Sequence, residues 1–134
     1  MVLDAEQVDM WDYWDEEARD QTVPQMVKEF AKVTGQKPSV TMSATLIQEE
    51  YAEWEKEFFE FGKSVKELKE LADLVYVIYG YANTRHWNLA EAVERVHKNN
   101  LGRCKQQDGT IQRREDGKII KNPAYPAVDL SDLV

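Results

Sequence analysis

Two groups of acidic residues are spaced so that each group shares one face of a helix. The first is Glu49, Glu50 and Glu53, and the second is Glu70 and Asp73. Residues three or four positions apart lie on the same side of a helix, so each group presents its oxygens in one direction. Mg²⁺ prefers oxygen ligands of this kind. If the two segments are helices that pack together, the pattern predicts an acidic pocket that holds magnesium.

The second acidic group lies in an otherwise apolar segment. Its apolar neighbours are Leu71, Ala72, Leu74, Val75, Val77 and Ile78. A helix that is apolar around most of its circumference is expected to be buried, which predicts that Asp73 is not a free surface charge. An ionised carboxylate removed from water must be paired, hydrogen-bonded or metal-bound. The alternative to a metal ion is a salt bridge to Lys66, Lys69 or an arginine of a neighbouring helix.

The first acidic group has a second interpretation when it is taken alone. Glutamates recur along this segment as the solvated stripe of an amphipathic helix. The apolar side of that helix comprises Ile47, Tyr51, Trp54, Phe58 and Phe61. Glu50 falls at the border between the two faces. Considered by itself, the first group is therefore also explained as a solvated helix face. Its combination with the second group favours the metal site.

Local signals predict the first two helices. Thr22 precedes Pro24, and Gly35 follows a short apolar stripe, which indicates a helix over about 24–34. The next helix is predicted over about 42–60 and ends at Gly62. It carries the first acidic group.

Two further helices are predicted from their caps. Ser64 and Glu67 have the spacing of a capping box and begin a third helix over about 65–84. Asn88 and Glu91 begin a fourth, for which Gly102 is the predicted C-terminal stop. Gly80, inside the third helix, predicts a close approach by a packed helix or by a nucleotide, of which the helix is favoured. Together these elements predict an all-α helical bundle.

The two ends of the chain have different patterns. Asp116 and Gly117, between the segments IQRR at 111–114 and IIK at 119–121, predict a small β-hairpin, followed by an extended tail, within residues 106–134. Residues 1–20 are predicted to form a separate arm or extra helix that contacts another subunit. Six basic side chains against three acids in residues 103–121 either clamp phosphate oxygens or form a solvated basic hairpin.

Length and composition limit the classes of protein. The chain has 134 residues, 43% of them hydrophobic, and a net charge of −8, which suits one domain and argues against nonspecific nucleic-acid binding. No apolar segment is long enough to span a membrane, and the N-terminal residues lack the basic start of a signal peptide. We therefore expect a soluble, cytoplasmic protein with no membrane partner.

Four blocks of the sequence resemble the all-α nucleoside triphosphate pyrophosphohydrolases, the MazG-like and phosphoribosyl-ATP pyrophosphohydrolase-like group, especially its short single-domain phage-type members. The blocks are LIQEEYAE at residues 46–53, KELADLVYV at 69–77 ending at Gly80, VHKNN at 96–100, and REDGKIIK at 114–121 with Pro123 and Tyr125. The resemblance covers most of residues 1–134. It implies one four-helix module that assembles as a dimer or tetramer.

The resemblance also implies an activity and a set of roles. Similar enzymes cleave nucleoside triphosphates to monophosphate and pyrophosphate with Mg²⁺ or Mn²⁺, here expected as two or more ions per site. The metal ligands would be Glu50, Glu53, Glu70 and Asp73. Glu49 would be the catalytic base that orients or deprotonates water. Contacts to the nucleotide would come from Asn100, Arg103, Lys121 and Tyr125.

The base preference stays open at this point. One option is selectivity for the purine nucleotides GTP and dGTP, and another is a dUTP or dCTP diphosphatase of the same fold. A different class of protein is also possible in principle, namely an oligomer that binds nucleotides at the same pocket without cleaving them. Retention of all five acids argues against that last class.

Overall fold

The structure of the protein, a computed structural model, describes residues 22–134. The predicted arm at residues 1–20 lies outside the described residues. Residues 22–134 fall into two compact units, and the boundary lies between Arg85 and His86. Within residues 22–134 the secondary structure comprises four α-helices, a two-stranded antiparallel sheet and a short 3₁₀ helix, so the prediction of a mainly helical protein with a small hairpin is confirmed.

Within residues 22–85 the first unit contains three helices whose ends follow local capping chemistry. Helix α1 spans Val23–Thr34, α2 spans Val40–Phe61 and α3 spans Val65–Thr84. The Ser39 and Ser64 hydroxyls accept hydrogen bonds from backbone N–H groups at the starts of α2 and α3, both at 3.0 Å. Each satisfies a donor that the first helical turn leaves unpaired. Helix α2 begins two residues before the predicted start near residue 42, because Ser39 caps it.

Helix α3 packs against both α1 and α2. Its buried residue Ala82 and the α1 residue Val27 are the hydrophobic side chains least exposed to solvent among those described. A methyl group added at Gly80 would lie 3.7 Å from Val27 Cγ1. Helix α1 is thus the neighbour that faces Gly80, but at an ordinary van der Waals distance that leaves room for a methyl group, so the predicted close approach is wrong.

The prediction that α3 is buried around its circumference is wrong for one side of the helix. Leu68, Leu71 and Val75 are exposed. These three residues line an open apolar groove between α1 and α3, together with Val23, Met26, Ala72 and Tyr76. The reason is geometric, since α1 has 12 residues against 20 in α3 and α2 covers the other side.

The second unit is built on helix α4, which spans Leu89–Arg103. Asn88 Oδ1 accepts a hydrogen bond from Glu91 N at 3.1 Å, which confirms the predicted cap. The predicted stop at Gly102 is wrong, because the helix continues through this residue. An added Cβ at Gly102 would lie 2.3 Å from the Tyr125 ring. Glycine at this position leaves space for the tip of the Tyr125 side chain, which would have to shift if a Cβ were added.

The hairpin and tail complete the second unit. Strand β1, Gln112–Arg113, pairs antiparallel with β2, Ile119–Ile120, and Gly117 between them has φ 87°. This confirms the hairpin predicted from Asp116 and Gly117. Beyond it the tail follows α4, where Asn99 Nδ2 donates to the Pro126 carbonyl at 2.9 Å. The 3₁₀ helix Ser131–Leu133 lies at its end.

None of the helices found between residues 22 and 134 is both long enough and apolar enough to cross a membrane.

Candidate functional site

Three carboxylates from two helices converge in the first unit. Glu50 and Glu53 extend from α2, and Glu70 extends from α3. One oxygen of each lies within 4.8 Å of one oxygen of both others. Only residues 62–64 separate α2 from α3, so the two helices form a hairpin that returns Glu70 to the level of the α2 acids. We call these three residues the carboxylate cluster.

Two oxygens of the cluster are shielded from water and have no hydrogen-bond partner among residues 22–134. They are Oε2 of Glu50 and Oε2 of Glu70. Removing an acceptor from water without a compensating bond costs about 1–3 kcal/mol, and more when the group is charged. A buried orphan acceptor in a folded protein commonly marks the position of a water or an ion. An all-oxygen donor set of this kind suits Mg²⁺ or Mn²⁺ and not the softer metals that require thiolates or imidazoles.

The electrostatics of the cluster disfavour three negative charges. Burial raises the pKa of Glu50, and the charges of Glu53, Asp73 and Glu70 raise it further. Burial also raises the pKa of Glu70, while Lys69 lowers it and Glu53 raises it, with a net increase. Like charges at short range oppose ionisation, and an added cation reverses that effect. The cluster is therefore arranged so that positive charge stabilises it.

The fourth predicted ligand, Asp73, is near the cluster but has a different partner. Its Oδ2 lies 2.5 Å from the Lys69 ammonium, in an i,i+4 ion pair on α3. The same ammonium lies 4.0 Å from Glu70 Oε1. The Asp73 side chain is 35% exposed and that of Glu70 is 17% exposed. Asp73 is thus neither fully buried nor a free charge, and the salt bridge to Lys69 that the sequence left open is present.

The predicted catalytic base, Glu49, lies on α2 beside the cluster residue Glu50 and is exposed. It is not one of the three grouped carboxylates. Its side chain is therefore accessible to water.

The four predicted nucleotide contacts all belong to the second unit. Arg103 and Tyr125 each form a backbone hydrogen bond with Asn122. The Arg103 carbonyl accepts from Asn122 N at 2.8 Å, and Tyr125 N donates to the Asn122 carbonyl at 3.2 Å. Asn100, Lys121 and Tyr125 are exposed, and Arg103 is half-buried.

The basic hairpin satisfies part of its charge internally. Arg114 pairs with Asp116, with Nε–Oδ1 at 3.1 Å and Nη2–Oδ2 at 2.5 Å. Arg113 Nη1 donates to the Gly117 carbonyl at 3.2 Å. These two arginines therefore stabilise the turn, and Lys121, after the second strand, is also exposed.

One set of contacts in the second unit was not predicted. Arg95 binds both carboxylate oxygens of Asp132, at 2.5 and 2.9 Å, and also Glu91 Oε1 at 3.1 Å. This fork fixes the tail to α4. The i,i+4 spacing of Glu91 and Arg95 is typical of an ion pair on a helix. No local pattern predicts that Arg95 also binds Asp132, 37 residues further along the chain.

No model of a known protein family matches the sequence, and no curated protein is significantly similar to it. The carboxylate cluster and the resemblance of the four sequence blocks are therefore the two features that bear on a function.

Proposed function

We propose that the protein is a metal-dependent nucleoside triphosphate pyrophosphohydrolase of the MazG-like class. The observation that carries the proposal is the carboxylate cluster of Glu50, Glu53 and Glu70, with its two orphan buried oxygens. Asp73 would join these three as the fourth ligand when it exchanges Lys69 for an ion. The set of acids has the residue types and order of the resembled family.

The reaction would be attack of water on the α-phosphorus of a bound nucleoside triphosphate. The bond from that phosphorus to the oxygen bridging the β-phosphate would break, giving monophosphate and pyrophosphate. Bound Mg²⁺ or Mn²⁺, two or more ions per site, would neutralise phosphate charge and make a water molecule more acidic. Glu49 would orient that water and accept its proton, since it is accessible and adjacent to Glu50.

Four further residues are proposed to contact the substrate, as the resemblance implies. Asn100, Arg103, Lys121 and Tyr125 are proposed to contact ribose, phosphate or base. Lys121 is the clearest of these for phosphate, because it is exposed and its ammonium acts as a point charge. Replacing Lys121 by Gln should raise KM more than the same change at Lys118, which is also exposed in the hairpin.

We further propose that the protein acts as a homo-oligomer in the cytoplasm. Large apolar side chains are exposed on α2, namely Tyr51, Phe58, Phe59 and Phe61, and others line the groove between α1 and α3. Contiguous apolar surface of this kind typically marks an interface. Sedimentation equilibrium would measure the state directly, and a monomer at micromolar concentration would contradict this part of the proposal.

The decisive experiment is a turnover assay on the purified protein. Each ribonucleoside and deoxyribonucleoside triphosphate would be incubated with Mg²⁺, Mn²⁺ or EDTA, and the products separated by chromatography. We expect metal-dependent monophosphate and pyrophosphate. Fastest turnover of GTP and dGTP would indicate purine selectivity, and fastest turnover of dUTP or dCTP would indicate a pyrimidine diphosphatase. Binding of nucleotides without any turnover would instead indicate a non-catalytic nucleotide-binding oligomer.

A pair of adjacent variants separates the proposed roles. Glu50→Gln should abolish turnover and weaken Mn²⁺ binding together, because it removes a ligand. Glu49→Gln should abolish turnover and leave Mn²⁺ binding largely unchanged, because it removes only the base. Equal loss of metal binding in both variants would contradict this division of roles.

A further inference from the structure

Lys69 is a basic side chain that lies beside two of the predicted metal ligands. It precedes Glu70 and lies one turn before Asp73 on α3. Its ammonium is 2.5 Å from Asp73 Oδ2 and 4.0 Å from Glu70 Oε1. The side chain is 66% exposed, so it can leave this position without disturbing the packing of the helix.

We infer that Lys69 is a built-in competitor of the metal ion for Asp73. This inference rests on the proposed function, in which Asp73 is a ligand. In the ion pair, Lys69 occupies the carboxylate that must complete the set formed by Glu50, Glu53 and Glu70. A divalent cation can use all four acids only when the ammonium withdraws, and each binding event therefore includes the cost of breaking the pair.

The competition has a useful consequence for the metal-free protein. Without a cation, the acids of the cluster and Asp73 repel one another, and Lys69 offsets part of that repulsion. When a divalent cation binds, the double charge of the ion replaces the single charge of the Lys69 ammonium beside Asp73. Lys69 thereby tunes the affinity of the site downward and keeps the α2–α3 hairpin stable before an ion arrives.

The test is Mn²⁺ binding to the full chain without nucleotide, followed by electron paramagnetic resonance of the unbound ion. The contribution of an exposed ion pair corresponds to about 1.4- to fivefold in affinity, so Lys69→Gln should bind Mn²⁺ more tightly than wild type by about that factor. Lys69→Arg, which keeps the charge, should stay closer to wild type. Lys66→Gln is the matched control, because Lys66 is exposed about one turn earlier on the same helix and loses the same charge.

Each outcome decides between the inference and its alternatives. Unchanged or weaker Mn²⁺ binding by Lys69→Gln would overturn the inference, and so would equal tightening by Lys66→Gln, which would indicate a general charge effect. In an Asp73→Asn background, Lys69→Gln should have no further effect if the two residues act through their pair. Wild-type protein that binds no Mn²⁺ would overturn the proposed function as well, whereas metal-dependent turnover with unaltered Lys69→Gln affinity would overturn only the inference.

Discussion

Replacing Glu50 by Gln should make the metal-free protein more stable while removing its response to metal. Glu50 is half-buried among Glu53, Glu70 and Asp73. Burial is the largest cause of its raised pKa, and the charges of these three carboxylates raise the pKa further. A neutral amide of nearly the same shape removes that repulsion. The same change removes a ligand, so Mg²⁺ should raise the melting temperature of wild type and leave that of the variant nearly unchanged.

The size of the effect follows from the distances in the cluster. Two unit charges at its 4.8 Å limit repel by about 1 kcal/mol in water and by about 3–4 kcal/mol at an effective dielectric constant of 20. Glu53 is exposed, so the lower figure is the better guide. We expect Glu50→Gln to increase the free energy of unfolding by about 1–2 kcal/mol, which corresponds to about 3–8 °C for a chain of this length.

The pH dependence of this difference has a defined sign. Because the pKa of Glu50 is raised in the folded state, the folded protein takes up a proton before the unfolded chain does as the pH falls. Wild type therefore gains stability relative to the variant on acidification through the raised pKa, and the difference disappears below the pKa of the unfolded chain. At higher pH, where Glu50 is ionised in both states, the full difference is present.

The assay is thermal unfolding with EDTA or with Mg²⁺, repeated from acidic to mildly alkaline pH. Glu60→Gln is the matched control, since Glu60 is exposed on the same helix and its replacement changes the net charge equally. If Glu60→Gln stabilises the protein as much as Glu50→Gln, the effect belongs to the overall charge of −8 and the reasoning from the cluster is refuted.

Further predictions concern the helical glycines and the tail. Gly80→Ala should stabilise the protein by about 1 kcal/mol in denaturant unfolding, because the new methyl meets only Val27 Cγ1 at an ordinary 3.7 Å; destabilisation would show that α1 packs more closely. Gly102→Ala should displace Tyr125 and accelerate proteolysis of residues 121–134, since its methyl would lie 2.3 Å from the ring. Arg95→Met should speed hydrogen exchange of residues 129–134 severalfold by releasing Asp132; unchanged exchange would mean that other contacts hold the tail.

The parts of the fold that sequence could predict are those set by neighbouring residues. Ser64, Asn88 and Gly117 each act within three or four positions, through a cap or a turn, and each does so in the structure. The mistake at Gly102 has the opposite cause. The Tyr125 side chain, 23 residues further along the chain, lies where a Cβ at residue 102 would be. No local sequence pattern predicts that contact.

The candidate site was predictable to a similar extent. Helical spacing was enough to place Glu50 and Glu53 on one face and to select Glu70 from the next helix. It did not decide between an ion and Lys69 as the partner of Asp73, because both satisfy the same carboxylate and the choice depends on side-chain conformation. The burial of α3 was overestimated because the sequence shows that an apolar face exists but not what covers it.

The carboxylate cluster is also a feature of low contact order. Glu50 and Glu70 are only 20 positions apart in the sequence, and both belong to one helical hairpin with a three-residue connection. Residues that are close in the sequence lose little chain entropy when they come into contact, and such contacts form early in folding. Each copy of the chain would therefore assemble its own three acids before it meets a partner, and a mutation that disrupts association should leave the acidic group intact.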